Sequence, residues 1–96
     1  MDVLLHISTP QAAPIAAALG WALTAHGASW ACFMTDDGVK VLADQSFSTA
    51  VDHAVRVAVC EHSWDLHMAG QECPVDRGSQ TVNSGLMAEA ARVVSL

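Results

Sequence analysis

Short, β-branched apolar runs alternating with helix-like segments predict an α/β fold. The expected architecture is a single-domain, three-layer parallel sheet with flanking helices, spanning residues 1–96. Three observations carry this. The runs Val3–Ser8, Ser29–Met34 and Val55–Cys60 are almost continuously apolar, as strands covered on both faces must be. Between the first two lies a long segment, Ala12 to His26, with few helix breakers. The chain then ends on another β-branched run, Arg92–Leu96. Such alternation feeds right-handed crossovers between parallel strands.

Taken in order, Val3–Ser8 is the first strand, and Thr9-Pro10 breaks it. Thr9 or Pro10 starts the helix Ala12–His26, in which Pro14 is tolerable in the first turn and Gly27 serves as the stop. Its apolar residues (Ile15, Ala16, Ala18, Leu19, Trp21, Ala22, Leu23) run nearly all round, which predicts packing on the sheet and on a second subunit. The second strand, Ser29–Met34, puts Trp30, Cys32 and Met34 on one face and Ala31 and Phe33 on the other. Thr35-Asp36-Asp37-Gly38 is a turn, Val39–Leu42 a helical turn and Gln45–His53 a weak helix. Val55–Cys60 is the third strand, Ser63–Met68 one or two helical turns, and Gly70–Ser79 a loop. Asn83 or Ser84 caps a helix through Ala91, and Arg92–Leu96 is the last strand. His6 and Arg56 fall inside strands, so each reaches a sheet edge or finds a partner.

Composition narrows the function classes. Hydrophobic residues make up 52% of the chain and charged residues 15%, a surplus that predicts a subunit interface in so small a domain. A formal net charge of −6 with only Lys40, Arg56, Arg77 and Arg92 as cations excludes a phosphate-binding face, so no nucleic-acid partner is expected. No apolar stretch has the length of a membrane span and the start lacks a basic leader, which predicts no membrane and a cytoplasmic protein. An odd number of cysteines, Cys32, Cys60 and Cys73, argues against a disulfide framework. Asp36-Asp37 has no Gly-rich loop with Lys beside it, and no nucleotide or other cofactor is expected.

The chemistry concentrates at Cys60. It closes an apolar strand and is followed at once by Glu61-His62-Ser63-Trp64-Asp65, so the thiol sits at the carboxyl edge of the sheet, where ligands collect. The same edge is expected to gather Ser8-Thr9 and Asp36-Asp37-Gly38. His62 and His67 are candidates to lower the thiol pKa or relay protons, whereas Glu61 opposes ionisation. Cys73, in a loop before Pro74, is a candidate second thiol, and Trp64 a candidate roof over the first. Cys60, His62, His67 and Cys73 also have the residue types of a zinc or copper site, in a spacing that matches no standard finger.

Three segments resemble the DsrE/DsrF (TusD-like) family of small sulfur-relay proteins. Phe33-Met34-Thr35-Asp36-Asp37-Gly38-Val39 is similar to its aromatic strand end and acidic turn, Val55–Cys60 to its cysteine-ended strand, and Ser84–Leu96 to its final helix and strand. The resemblance implies a flavodoxin-like, DsrE-like parallel fold and a homo-oligomer, trimeric or hexameric. It also implies that Cys60 takes sulfane sulfur from a donor protein as a persulfide and passes it to an acceptor protein. Other readings stand beside it: a binding module using Cys60, His62, His67 and Cys73, or a structural subunit of a sulfur-relay complex.

Overall fold

The structure, a computed structural model, describes residues 1–96. Five parallel strands, β1 (Val3–Ile7), β2 (Trp30–Met34), β3 (Arg56–Cys60), β4 (Asp76–Gly78) and β5 (Arg92–Ser95), form one sheet in the order β4-β3-β2-β1-β5. The helices are α1 (Ala13–Ala25), α2 (Gln45–Ala50), α3 (Glu61–His67) and α4 (Gln80–Glu89). This is the expected α/β sandwich with a flavodoxin-like parallel sheet between helical layers. No helix is long and apolar enough to cross a membrane.

The strand alternation sorts the interior into two cores. Leu5, Ile7, Trp30, Cys32, Met34 and Val59 face one side, where they pack with Ala16 and Ala17 of α1, Phe47 of α2 and Trp64 of α3. Leu4, Ala31, Phe33, Ala58 and Cys60 face the other, where Leu86 of α4 joins them. Right-handed crossovers explain the division: β1 through β4 are added in one direction, and α4 carries the chain back past β1 to β5, so it lies on the opposite face.

The small residues of α1 let it approach the sheet closely. Trp30 fills the space over Gly20, where an added Cβ would stand 2.7 Å from the indole ring. The indole N–H donates to Thr24 Oγ1 at 2.9 Å, so a fully buried Trp has its polar atom satisfied. Gly38 permits a second close approach. Its missing Cβ would lie 2.6 Å from the carbonyl oxygen of Ile7, which lets the turn after β2 fold across the carboxyl end of β1.

Several boundaries differ from expectation. Within the segment read as a loop, Asp76–Gly78 pairs with β3, with Cys60 level with Gly78. A three-residue edge strand of composition Asp-Arg-Gly has no apolar period to reveal it. Ser79, rather than Asn83 or Ser84, caps α4, its side chain accepting from the Thr81 N–H, and Asn83 is buried within that helix. Helix α3 starts directly at Glu61. His6 is half-buried and stacks on Phe33 with ring centroids 6.3 Å apart. Arg56 reaches the sheet edge and donates to Asp76 Oδ2 at 3.1 Å.

Candidate functional site

β3 and β4 are the adjacent strands whose following helices part to opposite faces. Helix α3 goes to the α1 side through Trp64, and α4 goes to the other through Leu86. At such a divergence the strand ends leave a crevice bordered by two helix starts. The last paired residues there are Cys60 and Gly78, so the topology puts the thiol at this point.

Cys60 is buried, with 9% of its surface exposed. Burial pushes its pKa up, as it must for any group whose charged form is desolvated, but the opposing influences win and the thiol lies below its ordinary value of 9.0. In decreasing order these are the Ser63 hydroxyl, the backbone N–H groups of Ser63 and His62, and the side chain of Gln80. They act without the tight geometry of a side-chain helix cap, in keeping with a large, diffuse sulfur acceptor. The ionisation of Cys60 is therefore set by dipoles from α3 and α4 working against burial.

Ser63 is held for this task. It is 5% exposed, and its Oγ accepts the backbone N–H of Asp36 at 2.8 Å. With a lone pair so occupied, its own proton is free to turn to sulfur. Asp36 reaches it from the turn after β2 with a φ of +52°, a left-handed conformation that Asp tolerates better than most residues. The carboxyl ends of β2 and β3 are thus tied together, as expected for the Asp36 segment.

The other expected site residues are dispersed. His62 acts on the thiol through its backbone, and its side chain is exposed. His67 lies in the last turn of α3. Cys73 packs against the α1-side core, across the sheet from Cys60, and its Sγ donates to the carbonyl of Val75 at 3.3 Å. Trp64 belongs to that same core and does not roof the thiol; its indole N–H donates to the carbonyl of Gln71 at 2.9 Å. Cys60, His62, His67 and Cys73 are not assembled, and no group of three or more His, Cys, Asp or Glu side chains is placed to hold a metal ion.

Ser63 and Gln80 escaped the sequence reading. The i+3 spacing of Cys60 and Ser63 across a helix start was available as a signal, since it places the hydroxyl over the first turn. Gln80 had none, because its approach depends on the edge strand β4. Cys32, in mid-strand, is fully buried, and burial pushes its thiol far up. No ligand-sized pocket opens on the molecule. Comparison with known protein families, with curated proteins and with solved structures gives no match to this chain.

Proposed function

We propose that the chain is a sulfur carrier in which Cys60 accepts sulfane sulfur as a persulfide and donates it onward. One observation carries this: a thiol at the carboxyl ends of β3 and β4 whose anion is favoured by the Ser63 hydroxyl, two backbone N–H groups and Gln80. Only the thiolate attacks sulfur, so a cysteine held toward the anion is suited to exchange chemistry. The resemblance to the DsrE/DsrF family supports the same reading.

The step balances without an external oxidant. The Cys60 thiolate attacks the outer sulfur of a donor persulfide, R–S–SH. The donor S–S bond breaks, R–S⁻ leaves with the bonding pair, and Cys60 becomes Cys60–S–SH. An acceptor thiolate then attacks that outer sulfur and releases the Cys60 thiolate. Protein donors and acceptors bring the sulfur on their own cysteines, and one atom is all that must reach the thiol. The carrier is placed in the cytoplasm as a trimer or hexamer by the family resemblance, and the exposed Ile15 and Trp21 on α1 favour association of copies.

Polysulfide treatment followed by intact-mass measurement and peptide mapping tests the assignment. We expect additions of about 32 mass units per sulfur at Cys60. Limiting iodoacetamide should label Cys60 first, Cys73 later and Cys32 last. Cys60→Ser should abolish sulfur loading while leaving the protein folded. Loading at Cys73 with Cys60 untouched would sink the proposal.

A further inference from the structure

The two edges of the sheet are built differently. The β4 edge is three residues long and reads Asp-Arg-Gly, with both charged side chains held in ion pairs. Short, charged edges of this kind resist further pairing. The β5 edge reads Arg-Val-Val-Ser, keeps an unbroken register on β1 and has no proline. Its one charge, Arg92, stands at the start of the strand and forms no ion pair.

Strand parity decides which backbone groups of β5 face outward. The N–H groups of Arg92 and Leu96 donate to the carbonyls of Asp2 and His6, at 3.0 and 2.8 Å. The Leu96 carbonyl accepts the Ser8 N–H at 2.9 Å. Alternate residues of a strand turn the same way, so Arg92, Val94 and Leu96 face β1. The N–H and C=O of Val93 and Ser95 then point away from it, and both residues are exposed. The Val93 side chain lies on the α4 side, level with Leu4, and Val94 lies on the α1 side, level with Leu5. Met87, in the last turn of α4, adds exposed apolar surface to the layer on the Val93 side.

We propose that this edge takes β5 of a second copy of the chain in antiparallel pairing, joining the two sheets about a two-fold axis. The outward groups choose the register. Val93 opposite Ser95 of the second copy engages every outward N–H and C=O on both strands, whereas Val93 opposite Val93 engages half of them. In the fuller register Val94 meets Val94 of the second copy in the close, non-hydrogen-bonded pairing, an apolar β-branched contact. The two Arg92 side chains stand at opposite ends of the ladder. β5 carries no carboxylate, so two copies of a chain with net charge −6 meet here without acid facing acid. The edge is therefore self-complementary in hydrogen bonding, apolar contact and charge, as an isologous interface must be. Each Cys60 stays on the far side of its own sheet, with β1 and β2 between it and β5, and remains open to other proteins. A two-fold contact also joins two trimers into a hexamer, so the assembly is even-numbered. The pairing stands independently of the sulfur-carrier reading.

Light scattering and a cross-strand disulfide test it. The wild type should be a dimer or a hexamer. Val93→Pro removes an N–H that β1 does not use, so the chain should fold while the assembled mass falls by half. Should proline not be accommodated, Val93→Lys changes only an exposed side chain and carries the same expectation. The register is read from Val94→Cys in a chain that also carries Cys60→Ser and Cys73→Ser. Non-hydrogen-bonded partners have Cα atoms about 4.5 Å apart, within disulfide reach, so copper phenanthroline should give a covalent dimer on a non-reducing gel. Val93→Cys in the same background should stay monomeric on the gel, because its diagonal separation of about 7–8 Å is too long. Polysulfide loading of the wild type and Val93→Pro separates this proposal from the carrier. A halved mass without loading at Cys60 would keep the pairing and remove the carrier; loading with an unmoved mass would do the reverse. A wild-type monomer or trimer, an unmoved mass in the folded Val93 variants, or cross-linking of the Val93→Cys protein in preference to the Val94→Cys protein would overturn the pairing.

Discussion

Cys32 and Cys60 carry the same functional group in the same sheet, and their surroundings drive them in opposite directions. Cys32 sits among hydrocarbon in mid-strand, where nothing solvates an anion, and its thiol is pushed up. Cys60 is also desolvated, but hydrogen bonds from Ser63, His62 and Gln80 reverse the balance. Linkage turns this contrast into opposite pH dependences of stability. The folded-state pKa of Cys60 is depressed, so its contribution is complete above 9.0 and disappears as the pH falls through the lower folded value. That of Cys32 is raised, so above 9.0 the unfolded chain gains by ionising and the native state loses ground. Alkaline urea titrations of Cys32→Ala and Cys60→Ser should separate the two. Between pH 8 and 10, about a unit either side of the ordinary cysteine value, Cys32→Ala should lose less stability than the wild type and Cys60→Ser more. Equal slopes in all three proteins would contradict both assignments. The sequence identified Cys60 by its place at a strand end, but the groups that tune it lie 2, 3 and 20 residues further on. Only the first two of those separations are local.

Helix α4 has a covering task that the other side of the sheet divides among α1, α2 and α3. Its Leu86 is the buried residue that closes Leu4, Ala31, Phe33, Ala58 and Cys60 into a core. Val93, level with Leu4 on β5, remains 41% exposed. Leu86→Ala should therefore cost about 2–5 kcal/mol in chemical denaturation, as for a core leucine, despite lying near the end of the chain. A loss below about 1 kcal/mol would mean that α4 is loosely seated. The elements legible in the sequence were β1, α1, β2, β3 and β5, which had a strong period or a sharp breaker, and, more weakly, α2. What was missed had neither. β4 is three polar or small residues paired by their backbone, and the start of α4 was misplaced because Ser79, Asn83 and Ser84 are all competent caps. The misplacement matters, since Asn83 read as a cap gives no hint that its side chain is buried within the helix.

Across the whole molecule, apolar surface is distributed unevenly. Ile15 and Trp21 on α1 are 57% and 41% exposed, and Trp21 lies against His53 with ring centroids 4.9 Å apart. Val55 and Leu66 are also exposed. With charged residues making up only 15% of the chain, little polar surface is available to surround such patches, and self-association through them is the expected outcome. Multi-angle light scattering at micromolar concentration should return a trimer or hexamer; a monomer would remove the oligomer from the proposal. Association by strand addition is disfavoured at the β4 edge, which is short and charged. The parting of α3 and α4 to opposite faces has a further consequence. Because Ser63 is seated by one layer and Gln80 by the other, the acidity of a single sulfur depends on both being in register. A substitution that shifts either layer is therefore expected to raise the pKa of this thiol, so that its alkylation rate would report how well the two halves of the sandwich are docked.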